Sequence, residues 1–189
     1  PVAALRSAGE NLRDGIIAAA PAYDWSHLFT SFVWNEQALV KTAGSNLTSK
    51  VPAIQRAALA ACDAMDGAKD GLLEDPRTCK FDPAALACKG VDGPECLTPP
   101  QGEALKKLYG GPKNPRTGEQ IFPGLPPGAE AAPGAWATWI APGDPTKSLQ
   151  SGLGNSYYGQ AVFEDPKWDF HALNFDEDVK FGDAKVGSL

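Results

Sequence analysis

The chain has 189 residues, a length that suits one domain, and 43% of them are hydrophobic, which is enough to build a buried core. Its formal net charge of −6 and its pI near 4.9 argue against nucleic-acid binding and against binding to an anionic membrane surface. The sequence contains no apolar run of about 18 residues, so it predicts no membrane-spanning helix.

The first third of the chain predicts one short strand and two helices. The apolar run at residues 14–20, which Pro21 ends, fits a buried strand, and its length also allows a helix. Residues 22–40 carry many aromatic side chains and predict a loop that leads into a helix. Residues 51–65 predict the next helix, because Pro52 lies near its start and apolar residues recur at helical spacing.

An acidic segment enclosed by two cysteines follows this helix. Residues 62–79 read CDAMDGAKDGLLEDPRTC, with three carboxylates spaced i, i+3 and i+7 and glycines at positions 67 and 71. Glycine allows the backbone to turn inward with positive φ. Hard cations such as calcium take six to eight oxygen ligands, and a bound cation would offset the repulsion between the carboxylates.

This segment offers three carboxylates and two intervening carbonyl groups as oxygen donors for a cation: Asp63, Asp66 and Asp70, with Ala68 and Leu72. The spacing is not that of an EF-hand loop. The alternative is a solvated acidic loop that connects two elements and binds no cation.

The second half of the chain predicts one well-capped helix and much irregular structure. Thr98 is a good N-cap for that helix, which runs to about residue 109, and Gln101 completes a capping box. Residues 112–145 predict a proline-rich loop with room for a short hairpin about residues 121–122. Residues 156–163 fit a helix or a strand. The sequence therefore predicts a mainly α fold with long irregular Pro/Gly-rich loops and a few short strands.

The four cysteines fall into two local pairs: Cys62 with Cys79 and Cys88 with Cys96. Three connectivities are possible, and the local pairing closes loops of ordinary disulfide size. A zinc site is the rival interpretation, but the chain has no CxxC and both histidines lie far away in sequence. Paired cysteines indicate an oxidising compartment, so we expect a secreted or periplasmic protein.

The residues show no catalytic constellation. The nearest approach to a GxSxG nucleophile elbow is GNSYYG at residues 154–159, which is one residue too long and does not lie between a clear strand and helix. His27 and His171 lie in contexts that favour structural or surface roles. No glycine-rich phosphate-binding loop is present. By its own residues the chain is typical of a binding or covering domain.

Several segments taken together resemble the tannase and feruloyl esterase family of secreted α/β-hydrolases. They are DGIIAAAPAYDW at 14–25, the acidic segment at 62–79, FDPAALAC at 81–88, CLTPPQGEALKKLYGGP at 96–112, and G-x-W-x-x-W at 134–139. Their order and spacing match the family's lid domain over nearly the whole chain. The acidic segment is the most specific of them.

The resemblance implies a lid that is inserted into a catalytic α/β-hydrolase domain, covers its active site and binds one structural calcium. Residues 1–25 then correspond to the edge of the catalytic domain, 26–170 to the lid, and 171–189 to a segment that returns toward the catalytic domain. The calcium ligands implied by the resemblance are the five oxygen donors of the acidic segment. The fold is thus that of a lid domain and not a complete α/β-hydrolase.

The resemblance also implies substrate contacts. Trp139, the second tryptophan of W-x-x-W, falls where family members line the substrate pocket. Spacing alone favours a different role, because Trp136 and Trp139 lie one helical turn apart and both could be core residues. Tyr157 and Tyr158 lie in a loosely matched stretch and are candidate pocket-wall residues.

The chain departs from the family pattern in its catalytic residues. The family's nucleophilic serine lies in an elbow just before the matched region, whereas residues 1–13, PVAALRSAGENLR, contain no elbow. The acid and the histidine of the triad belong beyond Leu189. Because serine, histidine, acid and oxyanion hole act as a unit, we expect the isolated chain not to hydrolyse esters.

We therefore expect the lid to recognise an aromatic ester substrate for an ester hydrolase. A free-standing extracellular, calcium-stabilised binding module for phenolic or plant-wall ligands is the first alternative. A family member that lost a domain by deletion is the second. A longer reading frame with GxSxG upstream and a histidine downstream would favour the lid.

Overall fold

The computed structural model describes residues 24–186, which form a mostly helical fold. The α-helices are α1 (Trp25–Val40), α2 (Val51–Cys62), α3 (Pro99–Gly110), α4 (Trp136–Trp139), α5 (Leu149–Ser156) and α6 (Glu177–Lys185). Helix α5 continues directly into a π-helical segment, Tyr157–Val162. The predicted mainly α fold is confirmed. Of the few short strands expected, residues 24–186 contain only two isolated bridges, Ala87 with Leu97 and Lys113 with Gln120.

The three helices that the sequence predicts are present as α1, α2 and α3. Helix α3 follows Thr98, whose backbone N–H donates to Gln101 Oε1 at 3.0 Å, and the reciprocal contact completes the predicted capping box. Helix α2 ends at Cys62, earlier than expected, and a 3₁₀ turn continues to Asp66. Gly67 then adopts φ 94°, a conformation that helical residues do not take, so the helix cannot extend further.

Residues 24–186 test two other expectations about local structure. The ambiguous residues 156–163 are helical. The hairpin expected about residues 121–122 is wrong in position: the turn lies at residues 114–119, where Asn114 N–H donates to Glu119 O at 2.9 Å. The side-chain oxygen of Asn114 accepts two backbone N–H groups and stabilises this turn. The expected strand at residues 14–20 lies outside the described residues.

Two hydrophobic cores share helix α1. The first lies among the C-terminal half of α1 and helices α2, α3 and α4, and its members include Leu39, Ile54, Leu105, Leu108, Trp136 and Ile140. The second lies among α1, the π-helical segment and the chain near Leu173, and it is largely aromatic. Helix α6 packs on α1 beside the second core, where Gly182 faces Ser26.

Helices α1 and α5 pack closely because of one glycine. A Cβ atom at Gly154 would lie 3.1 Å from Val33 Cγ2 and 3.2 Å from Phe32 Cβ, so a larger residue at this position would push the helices apart. The close approach brings polar side chains of the two helices within hydrogen-bond distance.

Covalent and polar cross-links hold the long loops. The disulfides Cys62–Cys79 and Cys88–Cys96 are both formed, so the predicted local pairing is confirmed. Buried Lys50 donates to the carboxylate of Asp92 and anchors the loop that the second disulfide closes.

A second polar cross-link lies near α6, where Asp176 accepts hydrogen bonds from three side chains: Asn114, Arg116 and Lys180. The guanidinium of Arg116 is the largest influence that holds the pKa of Asp176 below its usual range.

None of the helices within residues 24–186 combines the length and the apolar character that crossing a bilayer requires.

At the end of α3 the chain crosses the helix so closely that Gly124 has no room for a side chain. A Cβ atom at Gly124 would lie 1.9 Å from Tyr109 O, because residues 123–125 cross the helix end and Leu125 N–H donates to Leu108 O at 2.9 Å. We expect Gly124→Ala to lower the free energy of unfolding by about 1–3 kcal/mol, since the backbone must move. Urea denaturation measures this change.

Gly102 provides the matched control. It lies inside α3, and a Cβ there meets no atom within 4 Å. We expect Gly102→Ala to raise the free energy of unfolding by about 0.5–1 kcal/mol, because alanine has the better helix propensity. Equal effects of the two substitutions would contradict the close backbone crossing.

Candidate functional site

The acidic loop begins where α2 ends and is closed by the Cys62–Cys79 disulfide, with 5.5 Å between the two Cα atoms. Asp63 is buried, and its Oδ1 accepts the N–H of Gly71 at 3.0 Å. This hydrogen bond folds the loop back on itself and brings residue 70 toward residue 63. Gly71 has φ 84°, so the turn needs glycine at this position.

The other two carboxylates stabilise local turns. Asp66 Oδ1 accepts from Ala68 N at 2.9 Å, and Asp70 Oδ1 accepts from Leu72 N at 3.1 Å. The possible cation ligands of the loop are carboxylate and carbonyl oxygens held on a compact backbone. Oxygen ligands are those that a hard cation prefers. The three carboxylates do not converge to within 4.8 Å of one another, so cation binding would require their side chains to rotate.

A second cluster of possible metal ligands has its ligand atoms closer together, but its two cysteines are not available as thiolates. Within residues 24–186, the ligand atoms of Cys88, Asp92 and Cys96 lie within 4.8 Å of one another. The two cysteines are joined in a disulfide, and Asp92 accepts from Lys50. This group therefore has a structural role.

The W-x-x-W segment forms helix α4, and its two tryptophans have different environments. Trp136 is 5% exposed and packs in the first core, with its ring centroid 6.1 Å from that of Tyr109. Trp139 is 42% exposed. The expectation that both rings could be buried on one helical face is therefore wrong, because only Trp136 packs against α3.

A buried glutamate holds α4 in place. The carboxylate of Glu130 accepts Gly128 N–H at 3.1 Å and the hydroxyl of Tyr109, while its backbone carbonyl accepts the N–H of Trp136 at 3.3 Å. Burial, together with the nearby charge of Glu130, raises the pKa of the Tyr109 hydroxyl, so that hydroxyl stays a donor. Sequence reasoning missed Glu130, because a lone glutamate in a proline-rich loop is ordinarily solvated.

Tyr157 and Tyr158 are placed in the interior. Both rings are buried in the second core, where Tyr157 stacks on Phe29 with 4.7 Å between ring centroids. Their hydroxyls bond to Ser26 Oγ at 2.8 Å and to Thr30 Oγ1 at 2.6 Å. The structure therefore gives these tyrosines a packing role and does not bring them to the surface that carries Trp139.

Helix α5 carries an exposed apolar pair that sequence reasoning did not single out. Leu149 and Leu153 are 45% and 43% exposed and lie one turn apart on the same helical face. Helix α5 contacts α4, which carries Trp139. We call Trp139, Leu149 and Leu153 the apolar face. Contiguous apolar patches mark ligand or protein contact sites, and these side chains are the ones that the two contacting helices offer for such a patch.

The structure also places the residues considered for catalysis. Ser156 ends helix α5 and is followed by the π-helical segment, so GNSYYG does not form a strand-turn-helix elbow. His27 lies between two carboxylates, with Nδ1 3.1 Å from Asp24 and Nε2 3.2 Å from Asp183, and thus links α1 to α6. His171 is exposed beside Phe170.

Comparison with known proteins identifies the family. The family model described as "Tannase and feruloyl esterase" matches residues 3–185. The chain belongs to this family. An esterase of Xanthomonas campestris pv. campestris that is described as uncharacterized is 41% identical over 179 residues, which cover 91% of this chain and 31% of that protein. A probable feruloyl esterase B-2 of Aspergillus flavus is 32% identical over 162 residues, covering 82% of this chain and 29% of that protein.

Solved structures of the family have the same fold over this region. An esterase from Aspergillus oryzae superimposes with a TM-score of 0.76 at 25% identity, covering 93% of this chain and 34% of that chain. Feruloyl esterase B from Aspergillus oryzae gives a TM-score of 0.75, covering 92% and 34%. This chain thus spans about a third of the length of the relatives it matches.

The environments of the two tryptophans generate a stability prediction. We expect Trp136→Ala to lower the free energy of unfolding by about 3–5 kcal/mol, because it leaves a cavity in the first core. Trp139→Ala should change it by less than about 1 kcal/mol, since much of that ring is already in water. Urea denaturation of both variants is the measurement, and a loss at Trp139 equal to that at Trp136 would contradict the assignment.

Proposed function

We propose that this chain is the lid, or substrate-recognition domain, of a carboxylic ester hydrolase that acts on aromatic esters. The observation that carries the proposal is the exposed ring of Trp139, held on a one-turn helix whose other tryptophan is buried. An exposed indole on a fixed helix offers a flat apolar surface to a phenolic acyl group. Membership of the tannase and feruloyl esterase family supports an ester as the ligand.

The lid would act by covering the active site of a catalytic α/β-hydrolase domain, which is its proposed partner. Closure excludes water and positions the substrate, while the nucleophile, base and oxyanion hole come from that domain. The apolar face provides three large side chains for this contact. The lid supplies binding and orientation in this scheme, and its own residues transfer no proton.

The alternative of a free-standing module that binds phenolic or plant-wall ligands is less favoured. Its strongest support was the lack of a catalytic constellation. Proteins described as esterases match over four fifths or more of this chain, and they are about three times its length. A covering role beside a catalytic domain accounts for both facts.

We also propose one calcium ion in the acidic loop, bound by the carboxylates of Asp63, Asp66 and Asp70 and the carbonyls of Ala68 and Leu72. The oxygen-only donors, the two glycines with positive φ and the disulfide that closes the loop support this proposal. Calcium would offset two of the three negative charges of the carboxylates and stabilise the loop. The two disulfides support a secreted or periplasmic location, because such bonds persist in oxidising compartments.

A chimera tests the recognition role. The matching segment of the Xanthomonas campestris esterase, which is 41% identical, is replaced with this chain. We expect Trp139→Ala in the chimera to lower kcat/KM for a feruloyl ester by about tenfold, the effect of losing about 1.4 kcal/mol of aromatic contact. Hydrolysis of an acetyl ester should change by less than about twofold, because the acetyl group is too small to reach the indole.

Phe181→Ala is the matched control, since Phe181 is an exposed aromatic residue on α6 and outside the apolar face. It should leave both activities unchanged. If Trp139→Ala alters the feruloyl and acetyl esters equally, or alters neither in a folded chimera, Trp139 does not recognise the acyl group and the proposal fails at this residue.

The calcium site generates its own prediction. Calcium at about 100 times its dissociation constant should stabilise the fold by about 2.7 kcal/mol, so a chelator should lower the Tm of this chain by several degrees. Asp66→Ala should give a low Tm with or without chelator. Glu74→Ala, which removes an exposed acid from the same loop but no proposed ligand, should keep the wild-type response. A Tm that chelation leaves unchanged, with no calcium found by elemental analysis, would disprove the site and leave the recognition role standing.

A further inference from the structure

Glu36 is a buried carboxyl group at the contact between α1 and α5. Its side chain is 3% exposed, although glutamate is seldom fully buried without a cationic partner. Within residues 24–186 its hydrogen-bond partners are neutral: Ser151 Oγ lies 2.7 Å from Oε1, and Asn155 Nδ2 lies 3.2 Å from Oε2. No salt bridge involves Glu36 in this part of the chain. A charged carboxylate in this position would be poorly compensated.

The single hydroxyl hydrogen of Ser151 indicates that the carboxyl group of Glu36 carries a proton. Ser151 Oγ lies 2.7 Å from Glu36 Oε1 and also 2.8 Å from the backbone carbonyl of Thr146. A serine hydroxyl has one hydrogen to donate. If Glu36 is ionised, both neighbours are acceptors and only one of them can be satisfied. If Glu36 is protonated, it donates to Ser151, and Ser151 donates to Thr146 O, so both short contacts become hydrogen bonds.

A second atom in the cluster is compatible with a neutral Glu36. Asn155 Oδ1 is the one buried side-chain polar atom without a hydrogen-bond partner within residues 24–186. Exchanging the oxygen and nitrogen of this amide moves no heavy atom appreciably and would place Oδ1 beside Glu36 Oε2. There it could accept a hydrogen bond from a protonated Glu36, or from Ser151 Oγ, which lies 3.3 Å from the same amide atom. In either amide orientation the neutral acid has an acceptor available.

The charged groups around the cluster do not favour ionisation. Helix α5 contributes no charged residue, and Asp144 and Lys147, which flank the turn before it, pair with each other at 3.6 Å in an exposed position. Asp169 adds a nearby negative charge from the chain that precedes His171. Burial is the largest influence and raises the pKa of Glu36 from 4.5 to about 7, although the hydrogen bonds of Ser151 and Asn155 oppose it.

We propose that Glu36 is a proton switch at the contact between α1 and α5: it is a neutral acid that donates to Ser151 below neutral pH, and its ionisation weakens this contact. The proposal rests on the fold of this chain and not on its role beside an esterase. Leu149 and Leu153 lie on the same helix as Ser151, so the switch would also affect the apolar face.

The direction of the pH effect follows from the raised pKa. The folded state holds the proton more tightly than the unfolded chain, so the stabilisation is complete below pH 4.5 and is lost as the pH rises through about 7. The difference between 4.5 and about 7 corresponds to a change of up to about 300-fold in the folding equilibrium constant.

Two measurements test the switch. Carbon NMR of this chain, with the Glu36 carboxyl assigned through its bonded atoms, follows the titration directly and needs no variant. We expect a midpoint near pH 7. Urea denaturation at pH 5 and at pH 8 then compares wild type with Glu36→Gln, whose amide donates to Ser151 at every pH. The variant should lose the stability difference that wild type shows between the two pH values.

Glu103→Gln, the same chemical change at an exposed position on α3, is the control and should keep the wild-type pH dependence. A Glu36 carboxyl that titrates in the ordinary glutamate range would overturn the proposal. So would a folded Glu36→Gln variant whose stability depends on pH as wild type does. If Glu36→Gln does not fold, the NMR midpoint alone decides.

Discussion

Helix α1 is enclosed by other elements along most of its length, so each polar side chain that it buries needs a hydrogen-bond partner. These buried polar residues are Ser26, Thr30, Ser31, Asn35, Glu36 and Gln37. Five of them have partners on α5, on the π-helical segment or on the backbone near Phe170, whereas Ser31 Oγ donates to Leu28 O within α1. Sliding α5 along α1 would break several of these bonds together, so the polar contacts determine the register of the two helices.

The register of α5 in turn determines the role of the two consecutive tyrosines. Tyr157 and Tyr158 reach hydroxyls on α1 that lie one helical turn apart, at Ser26 and Thr30. Thr30 already donates its hydroxyl hydrogen to Ser26 O at 2.6 Å, so Tyr158 must be the donor in its contact with Thr30. Burial raises the pKa of Tyr158 and keeps that donor protonated. The second core is thus aromatic in its packing and specific in its hydrogen bonding.

The loops face a different problem, because a fold with no sheet in its described residues has few backbone ladders to hold long connections. The chain uses local disulfides, the buried Lys50, and the pair of Tyr109 and Glu130 for this purpose. The last of these matters most for the proposed recognition role. It fixes the start of α4, so that Trp136 enters the core and Trp139 is left at the surface on a rigid support.

The sequence by itself determined those features whose signals are local. The capping box at Thr98 and Gln101, the paired cysteines and the glycines of the acidic loop all act over a few to some seventeen residues, and each was predictable. The overall helical class was predictable for the same reason, since caps, prolines and periodicity act within one element.

Only the tertiary structure decided which polar and aromatic side chains are buried. Glu36 is buried by residues more than a hundred positions away, as are Tyr157 and Tyr158, and nothing within a few residues of them indicates those neighbours. The two tryptophans of W-x-x-W look equivalent in sequence and differ only because one of them faces α3. Burial depends on partners that the chain brings together on folding, and that is why local patterns predicted the helices but not the chemistry between them.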